Sequence, residues 1–322
     1  MLFFDVSFLV DSVLIFTLAF LIDVIFGEIP DRAHPTVWMG QIVAYVKPKM
    51  KNKNPRTEKF LGVCLCVGLI ALFTGPVFLI LWAIRQIPIL GWLIYIVVAA
   101  VMLKATFALK CMRFYTAPIE KALKAKDREG AKKWLRFIVR RDPDKLDERH
   151  MISAAVESIA ESTTDGVTSP FFFFAIFGVP GAVAFRVINT LDSMVGYKDS
   201  VNVNIGWFSA KMDTITNYIP SRLTAVLMVA GSWLQRKNWR NSWRILIRDR
   251  NKTASPNAGW TISAMAGALD TQLEKEGFYS LGDGESIHAE DITGAWKVMG
   301  STVVLFGLIV VVPVLALEAF FL

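Results

Sequence analysis

The sequence predicts an all-α, polytopic integral membrane protein in which cytoplasmic and re-entrant helical segments form the site. Of the 322 residues, 54% are hydrophobic, and the mean hydropathy of +0.44 is too high for an ordinary soluble domain. Several apolar runs reach the length of about 20 residues that a helix needs to cross a bilayer. The alternation of polar and apolar residues that is typical of strands does not persist over useful lengths. Soluble and β-rich classes are therefore excluded.

The apolar runs divide the chain into three regions. The first and last regions are membrane helices, and the middle region is helical and carries most of the candidate site. The first region is 1–109, with spans near 8–26, 60–84 and 88–109 and a cytoplasmic loop at 27–59. The middle region is 110–299. The last region is 300–322, a C-terminal membrane helix.

Lys and Arg residues are concentrated in two of the segments that connect the apolar runs. Residues 110–169 form one basic segment, and the other contains Lys47, Lys49, Lys51, Lys53, Arg56 and Lys59. The positive-inside rule places both segments in the cytoplasm and the amino terminus outside. The net charge of +7 is then mainly a consequence of topology. Because basic residues are not interleaved with exposed aromatic residues in a recognised motif, nucleic acid is not expected as a partner.

Two further apolar stretches, 170–188 and 219–234, are short or interrupted by proline and glycine. Gly178 and Pro180 lie in the first stretch, and Pro220 lies in the second. Irregular backbone at membrane depth is tolerated where it is buried in protein or lines a cavity, which favours re-entrant or in-plane helices. If both stretches crossed the membrane completely, the polar segment 189–218 would lie outside.

Three carboxylates, Glu157, Glu161 and Asp165, recur at spacings of four residues. On a helix this spacing places them along one stripe, where like charges repel unless a cation is present. The three cysteines do not support a disulfide framework or a sulfur metal site, so a metal would be bound by oxygen, which suits Mg²⁺. An ordinary acidic helix face remains an alternative. Gly166 could also end the helix and leave Asp165 in a loop.

Downstream of this stripe, cations, amides and carboxylates recur inside apolar sequence. They are Arg186, Asn189, Asp192 and Lys198, then Asp213, Asn217 and Arg222, and finally Ser255 and Asn257 in a turn before a helix of small residues. Paired cations near carboxylates are typical of a site that holds phosphate groups. Neither a P-loop nor a GxGxxG motif is present, so any nucleotide is held by another architecture.

Five separated motifs of the chain resemble one known family. In chain order they are Asp23 and Gly27 through His34-Pro35 to Gly40; Glu157 to Glu161 with Asp165-Gly166; Asn189 to Lys198; Asp213 with Asn217 to Pro220 and Arg222; and Ser255 to Trp260 with Met265 to Leu269. In this order, across most of the chain, they resemble the adenosylcobinamide-phosphate synthase family, CbiB/CobD, of cobalamin biosynthesis.

The resemblance implies an enzyme that joins a propionate carboxylate of adenosylcobyric acid to the amine of aminopropanol or its O-phosphate. ATP is the implied co-substrate, Mg²⁺ the implied metal and the corrinoid the implied substrate. Because a carboxylate is a poor acyl donor, ATP would first convert it into an acyl phosphate, which the amine attacks. Membrane lipid and other late enzymes of the same pathway are the further partners expected, with the active site on the cytoplasmic side of the cell membrane.

The resemblance also implies roles for individual residues. Glu157, Glu161, Asp165 and Asp192 are expected to contact Mg²⁺, and Glu161 is also expected to be catalytic. Arg186, Lys198 and Arg222 are expected to hold phosphate, and Asn189, Asn217, Ser255 and Asn257 to complete the binding site. Asp213 or His34 is expected to transfer the proton, while a structural role for His34 stays open.

Two other functions remain as alternatives. One is a membrane sensor or signalling relative that keeps the fold without catalysis, which is disfavoured because the carboxylate and amide motifs are retained. The other is a transporter, which typically carries polar residues in the middle of paired, repeated spans. Here the polar residues are concentrated in cytoplasmic or re-entrant segments instead.

Overall fold

The structure, a computed structural model, describes residues 5–52 and 54–321. Lys53 of the basic loop and Leu322 at the end of the last apolar run lie outside the described residues. The helices are α1 (Val6–Phe26), α2 (Pro35–Val46), α3 (Pro55–Arg85), α4 (Gly91–Lys104), α5 (Leu109–Lys124), α6 (Arg128–Leu135), α7 (Glu148–Ser162), α8 (Ser169–Val195), α9 (Trp207–Thr216), α10 (Tyr218–Leu234), α11 (Trp239–Asp249), α12 (Ala258–Ala268), α13 (Glu290–Phe306) and α14 (Val312–Phe321). Two short antiparallel strands, β1 (Leu273–Lys275) and β2 (Tyr279–Leu281), form a hairpin.

Within the described residues, five helical segments are long and apolar enough to cross a membrane. They are Val6–Phe26, Pro55–Arg85, Gly91–Lys124, Glu148–Val195 and Glu290–Phe321. Together with the near absence of sheet in the described part of the chain, they confirm the predicted class, an all-α polytopic membrane protein.

Two apolar runs differ from their predicted bounds. The run near 88–109 is not one helix, because α4 ends at Lys104 and a turn separates it from α5. The Thr106 hydroxyl donates to the carbonyl of Leu103 at 2.6 Å and so satisfies an acceptor at the end of α4. The C-terminal run belongs to a longer helical segment that begins with α13 and passes through a π-helical turn, Gly307–Val311, into α14.

The two interrupted stretches are both helical. The stretch at 170–188 lies within α8, which has non-helical backbone at Gly178 (φ 64°), a conformation that glycine adopts readily. Pro180 follows this break. The stretch at 219–234 corresponds to α10, a helix of 17 residues. Whether either element is re-entrant or crosses the bilayer stays a prediction.

The described chain forms two compact units. The first unit contains 5–52, 54–108, 169–216 and 310–321, and the second contains 109–168 and 217–309. In the first unit, α3 and α2 pack against α8, and α1 packs against α4 and α14. Met39, Val43, Leu69 and Leu191 are among the buried side chains between α2, α3 and α8. This packing fixes the polar ends of α1, α4 and α8.

In the second unit, α12 packs closely against α11 and α10, and α10 also packs against α13. Small residues make this approach possible. A Cβ added to Gly267 of α12 would collide with the backbone of Asn241 on α11. A Cβ added to Gly231 of α10 would press against Thr302 on α13. Residues 261–268 of α12 are all buried, so this helix has no solvated face. The hairpin of β1 and β2 packs on α7 and α12.

Candidate functional site

The predicted site residues are divided between the two units, and each unit is described by itself. The first contains His34, Arg186, Asn189, Asp192, Lys198 and Asp213. The second contains Glu157, Glu161, Asp165, Asn217, Arg222, Ser255 and Asn257.

A buried lysine, Lys104, lies at the centre of a polar cluster in the first unit. It is the last residue of α4, and its side chain is 0% exposed. Its ammonium nitrogen lies 3.1 Å from Asp23 on α1 and 2.8 Å from Glu28, and it donates to the carbonyl of Phe107 at 3.2 Å. A charge at this depth is tolerated only when it is paired and hydrogen-bonded. One cation thus joins α1, the loop that follows it and α4.

His34 joins this cluster through Glu28. Its Nε2 lies 3.0 Å from the Glu28 carboxylate, and its Nδ1 accepts the N–H of Thr36 at the start of α2. Because Nδ1 is the acceptor, the hydrogen-bond network assigns the ring proton to Nε2, which donates to Glu28. Both ring nitrogens therefore have partners.

The charge state of Glu28 follows from the same contacts. Burial opposes ionisation, but the hydrogen bond from His34 and the charge and hydrogen bond of Lys104 outweigh it and lower the pKa of Glu28 to about 2. Glu28 is consequently a carboxylate at neutral pH. Its side chain is 28% exposed, so the cluster reaches the surface at this residue.

The turn after Lys104 connects this cluster to a second one on α8. The carbonyl of Thr106 accepts a hydrogen bond from Nε of Arg186 at 2.6 Å, and Nη1 of Arg186 donates to Asn189 at 3.1 Å. The Asn189 amide donates in turn to the carboxylate of Asp213 on α9 at 3.3 Å. Hydrogen bonds therefore connect three predicted site residues, Arg186, Asn189 and Asp213, in one series.

An apolar cavity of about 440 Å³ opens beside Arg186 in the first unit. Side chains of α2, α3 and α8 line it, among them Trp38, Phe73 and Val183. Its volume lies within the usual range for small-molecule pockets. The guanidinium of Arg186 thus stands at the edge of a space that can hold an apolar group.

Asp192 and Lys198 lie at and just beyond the end of α8. Asp192 is half-buried, and its carboxylate occupies the space beside Gly196 where a side chain would project. Gly206 brings the returning loop against the carbonyl of Val195 so closely that a Cβ would collide with it. Lys198 is exposed in this loop. Asp192 is thus held close to the end of α8, and Lys198 lies at the surface.

In the second unit, Glu157 on α7 is buried, and both of its carboxylate oxygens are bound. Oε1 accepts from the hydroxyl of Ser153 at 2.7 Å. Oε2 accepts from Arg141 at 2.5 Å and from the hydroxyl of Tyr279 on β2 at 2.6 Å. Arg141 also donates to the carbonyl of Glu274 on β1. Glu157 therefore ties α7 to the hairpin and to the segment that precedes it.

Glu161 and Asp165 have different surroundings from Glu157. Glu161 is exposed, one helical turn further along α7. Burial and the negative charges of Glu157 and Glu161 raise the pKa of Tyr279.

Asp165 lies in a π-helical turn, Thr163–Thr168, that continues α7. The expectation that Gly166 ends the helix is therefore wrong, because Gly166 lies inside this turn. A π-helical turn contains more residues than an α-helical turn, and it rotates Asp165 away from a regular stripe. Asp165 is half-buried there.

Arg222 near the start of α10 is held by the turn that precedes α12. Its Nη1 donates to Asn257 at 2.6 Å, and its Nη2 donates to the carbonyl of Pro256 at 3.1 Å. The guanidinium also stacks on the ring of Tyr218, 3.6 Å from the ring centroid. Arg222 thereby fixes the position of Asn257.

Ser255 and Asn217 complete this region of the second unit. The Ser255 hydroxyl accepts the N–H groups of Asn257 and Ala258, at 3.3 Å and 3.2 Å, and so caps the entry to α12. Asn217 is buried directly before α10. The structure therefore brings Arg222, Ser255 and Asn257 together at the starts of two adjacent helices.

Across residues 5–52 and 54–321, no three His, Cys, Asp or Glu side chains are gathered into a group that could hold a metal ion. Mg²⁺ is usually bound by one or two carboxylates together with substrate phosphate oxygens. A Mg²⁺ site on this chain would accordingly need a phosphate group to complete it.

Sequence reasoning missed four residues that organise these clusters: Glu28, Lys104, Arg141 and Tyr279. A signal for Lys104 was present, because an ionisable residue in an apolar run is a candidate functional residue by default. Tyr279 and Arg141 acquire their roles only through the fold, since Tyr279 approaches Glu157 from 122 residues away and Arg141 from the segment that precedes α7.

Comparisons with known proteins agree on one family. A family model described as CobD/Cbib protein matches residues 16–299. A probable cobalamin biosynthesis protein CobD of Methanothermobacter thermautotrophicus is 41% identical over 94% of this chain and 99% of its own length. The cobalamin biosynthesis protein CobD of Dehalococcoides mccartyi is 40% identical over 85% of this chain and 87% of its own length. No solved structure matches the chain. The chain belongs to the CobD/CbiB family of cobalamin biosynthesis.

Proposed function

We propose that the protein is an ATP-dependent amide ligase that joins adenosylcobyric acid to aminopropanol or aminopropanol O-phosphate. The product is adenosylcobinamide or its phosphate. Membership of the CobD/CbiB family supports a role in cobalamin synthesis. The specific reaction is the one that the resemblance of the motifs implies.

The reaction is proposed to have two steps. In the first, a carboxylate oxygen of the corrinoid attacks the terminal phosphorus of ATP, and ADP leaves. In the second, the amine attacks the acyl carbon, inorganic phosphate leaves and the nitrogen loses a proton. The protein must therefore hold phosphate groups, keep water from the acyl phosphate and accept a proton.

The observation that supports this proposal most directly is the polar network of the first unit. Motif residues far apart in sequence, Asp23, His34, Arg186, Asn189 and Asp213, are connected through Lys104 and the turn that follows it. Ionisable groups gathered in this way within a membrane protein are costly, and they typically mark a functional site.

Within this network, we assign proton transfer to Asp213 rather than to His34. The Asn189 amide that contacts Asp213 is neutral and fixes the carboxylate without adding a positive charge. The two ring nitrogens of His34 are engaged by Thr36 and Glu28, so a proton could move only if one of these contacts broke. His34 is accordingly proposed to position Glu28 and to cap α2.

For Mg²⁺, the residues of the second unit fit unequally. Glu157 already accepts three hydrogen bonds, which leaves its oxygens poorly suited to a metal. Glu161 is exposed and Asp165 half-buried, so we assign the metal contact to these two and a positioning role to Glu157. When bound, Mg²⁺ would neutralise charge on the phosphates. Asp192 remains a candidate in the first unit.

The test is a purified full-length chain supplied with adenosylcobyric acid, an aminopropanol and MgATP. Mass spectrometry should detect the amide, with one ADP and one phosphate per amide, only when all three substrates are present. Aminopropanol and its O-phosphate are compared at equal concentration. Phosphate release without the corrinoid would contradict the proposed ligase activity. Formation of AMP in place of ADP would contradict the acyl phosphate intermediate.

The side of the membrane needs a separate test. The distribution of Lys and Arg predicts a cytoplasmic site. Cysteines introduced at Lys198 and Lys211 should be protected from an impermeant thiol reagent in intact cells and should react after the membrane is opened, with the parent chain as control. Labelling in intact cells would place these residues outside.

A further inference from the structure

We propose that α5 and α6 form a binding surface for anionic phospholipid headgroups. The surface is a groove in the second unit that encloses about 830 Å³. Lys110, Phe114, Pro118 and Lys121 of α5 line one side, and Gly130 and Trp134 line the other. We call it the α5–α6 groove. It is distinct from the residues assigned above to ligase chemistry.

The α5 side of the groove carries two cations on one helix face. Lys110, Phe114 and Lys121 recur at spacings of four and seven residues, which places them in one stripe along the helix. Lys110 and Lys121 are both exposed, and Phe114 lies between them with 62% of its surface exposed. An aromatic ring flanked by lysines is typical of a helix at a membrane interface.

Aromatic rings extend the surface across both helices. Phe114 and Trp134 lie 5.8 Å apart by their ring centroids, and Tyr115 and Phe137 lie 5.4 Å apart. Phe137 is 63% exposed. Tyr115 and Trp134 are half-buried, and they connect the two exposed rings of Phe114 and Phe137. Neighbouring aromatic rings that remain partly exposed to water mark an interaction surface. Lipid acyl chains and glycerol esters provide the apolar environment that these rings lack.

Charge selects the class of lipid. Residues 110–141 contain eleven Lys and Arg residues and three Asp and Glu residues. Basic clusters on an amphipathic helix that follows a membrane span bind anionic lipids, and each cation near the surface contributes about 1 kcal/mol. Only four residues separate α5 from the end of α4, which belongs to a candidate membrane span.

The spacing of the cations favours a bilayer over a soluble phosphate. Lys110 and Lys121 are separated by eleven residues of helix, or about 16 Å along its axis. One phosphate group is too small to contact both ammonium groups, whereas neighbouring headgroups of a lipid leaflet can contact each of them.

The experiment compares full-length protein in nanodiscs of phosphatidylcholine alone and of phosphatidylcholine with about one third phosphatidylglycerol. Hydrogen exchange of the amides in 109–137 reports local docking, since protection rises with the stability of the docked state. We expect phosphatidylglycerol to increase protection at least tenfold and 0.5 M NaCl to remove this gain. Equal protection in both lipids, or a gain that resists salt, would overturn the proposal.

The matched variants are Lys110→Gln with Lys121→Gln, and Lys145→Gln with Lys275→Gln outside the groove. The first pair should remove most or all of the gain in protection, because a loss of about fivefold per lysine exceeds a tenfold gain when both lysines are replaced. The second pair should retain it. Because Lys110 and Lys121 are exposed, the thermal unfolding temperature should stay near the parent value. If the first pair of substitutions prevents folding, the effect of salt on protection of the parent chain still tests the proposal.

Two further results would each refute the lipid assignment. Protection by glycerol phosphate in phosphatidylcholine nanodiscs, equal to that from phosphatidylglycerol, would indicate a soluble phosphate ligand. Protection that requires added cytosolic protein would indicate a protein partner. Activity of the ligase is not a readout here, so failure of this proposal and failure of the proposed function remain distinguishable.

Discussion

Lys104 in the first unit and Glu157 in the second are both buried ions, but their partners differ. Lys104 lies between two carboxyl groups, those of Asp23 and Glu28. Glu157 is balanced by one cation, Arg141, and by two hydroxyl groups. The first cluster reaches the surface through Glu28, whereas the side chain of Glu157 is only 5% exposed.

This difference separates two uses of a buried charge. A neutral and saturated arrangement such as that of Glu157 holds secondary structure together. An arrangement in which one cation contacts two carboxyl groups, one of them partly exposed, can respond to pH or to a charged ligand, because solvent and ligands can reach the exposed group. We therefore expect changes at Lys104 and Glu28 to act through charge, and changes at Glu157 to act mainly through packing and hydrogen bonds.

The largest effect is expected from Lys104→Met, which removes the cation between two carboxylates. Breaking a buried ion pair from one side typically costs about 3–5 kcal/mol, because the remaining charge is uncompensated. The free energy of unfolding in detergent should fall by this amount. Lys133→Met on α6, at an exposed position, is the control and should unfold like the parent chain. Equal stability of the two variants would show that the contacts of Lys104 do not stabilise the fold.

The next effect concerns the dependence of stability on pH. The pKa of Glu28 is about 2 in the folded chain, below its ordinary value of 4.5. The stabilisation is therefore present above pH 4.5 and is lost as the pH falls towards 2. Because Glu28 is partly exposed, solvent screening limits the total to about 2 kcal/mol. Unfolding free energies measured between pH 6 and 2.5 should fall more steeply for the parent chain than for Glu28→Gln. Parallel curves would show that Glu28 is not stabilised as a carboxylate.

A smaller effect is expected on α7, where Glu157 and Glu161 differ by one helical turn. Glu157→Gln removes the charge opposite Arg141 and should cost about 2 kcal/mol of stability, as for hydrogen bonds to charged groups. Glu161→Ala should change stability by less than about 0.5 kcal/mol, since its side chain is exposed. Under the proposed function, Glu161→Ala should nevertheless abolish amide formation. A stable and fully active Glu161→Ala variant would exclude Glu161 from the mechanism.

A smaller loss of stability than that of Glu157→Gln is expected from Tyr279→Phe, which removes one of three hydrogen bonds to Glu157. Arg141 and Ser153 still hold the carboxylate, so the loss should be about 1 kcal/mol. Thermal unfolding of Tyr279→Phe, Glu157→Gln and the double variant measures the interaction free energy between the Tyr279 hydroxyl and the Glu157 carboxylate. A loss as large as that of Glu157→Gln would mean that the hydroxyl is the main partner of this carboxylate.

Most of the membrane architecture was predictable because it depends on local composition. The runs near 8–26 and 60–84 lie within α1 and α3. The end of α4 was not predictable from hydropathy. Ala105 to Leu109 are mostly apolar, so hydropathy continues through the turn, and the contacts of Lys104 at the end of α4 are made with carboxylates distant in sequence.

The candidate site was predictable in composition but not in arrangement. The motifs singled out Arg186, Asn189 and Asp213, and the structure connects them. It also places Asp165 in a π-helical turn and Tyr279 on a strand of three residues, which is too short to produce a periodic pattern. Contacts between distant segments decide which carboxylate is saturated and which is exposed, so spacing alone could not distinguish Glu157 from Glu161.

The length of α3 has a consequence for the choice of lipid. Its 31 residues extend about 46 Å, well beyond a hydrocarbon core of about 30 Å. Glu58 near one end is held by the Asn52 backbone and by Asn204, while Arg85 at the other end faces Asp11. Because both ends are fixed, a mismatch in thickness must be accommodated by deformation of the bilayer or by a tilt of the helix. Reconstituted protein should consequently be sensitive to acyl-chain length, through hydrophobic mismatch at this helix.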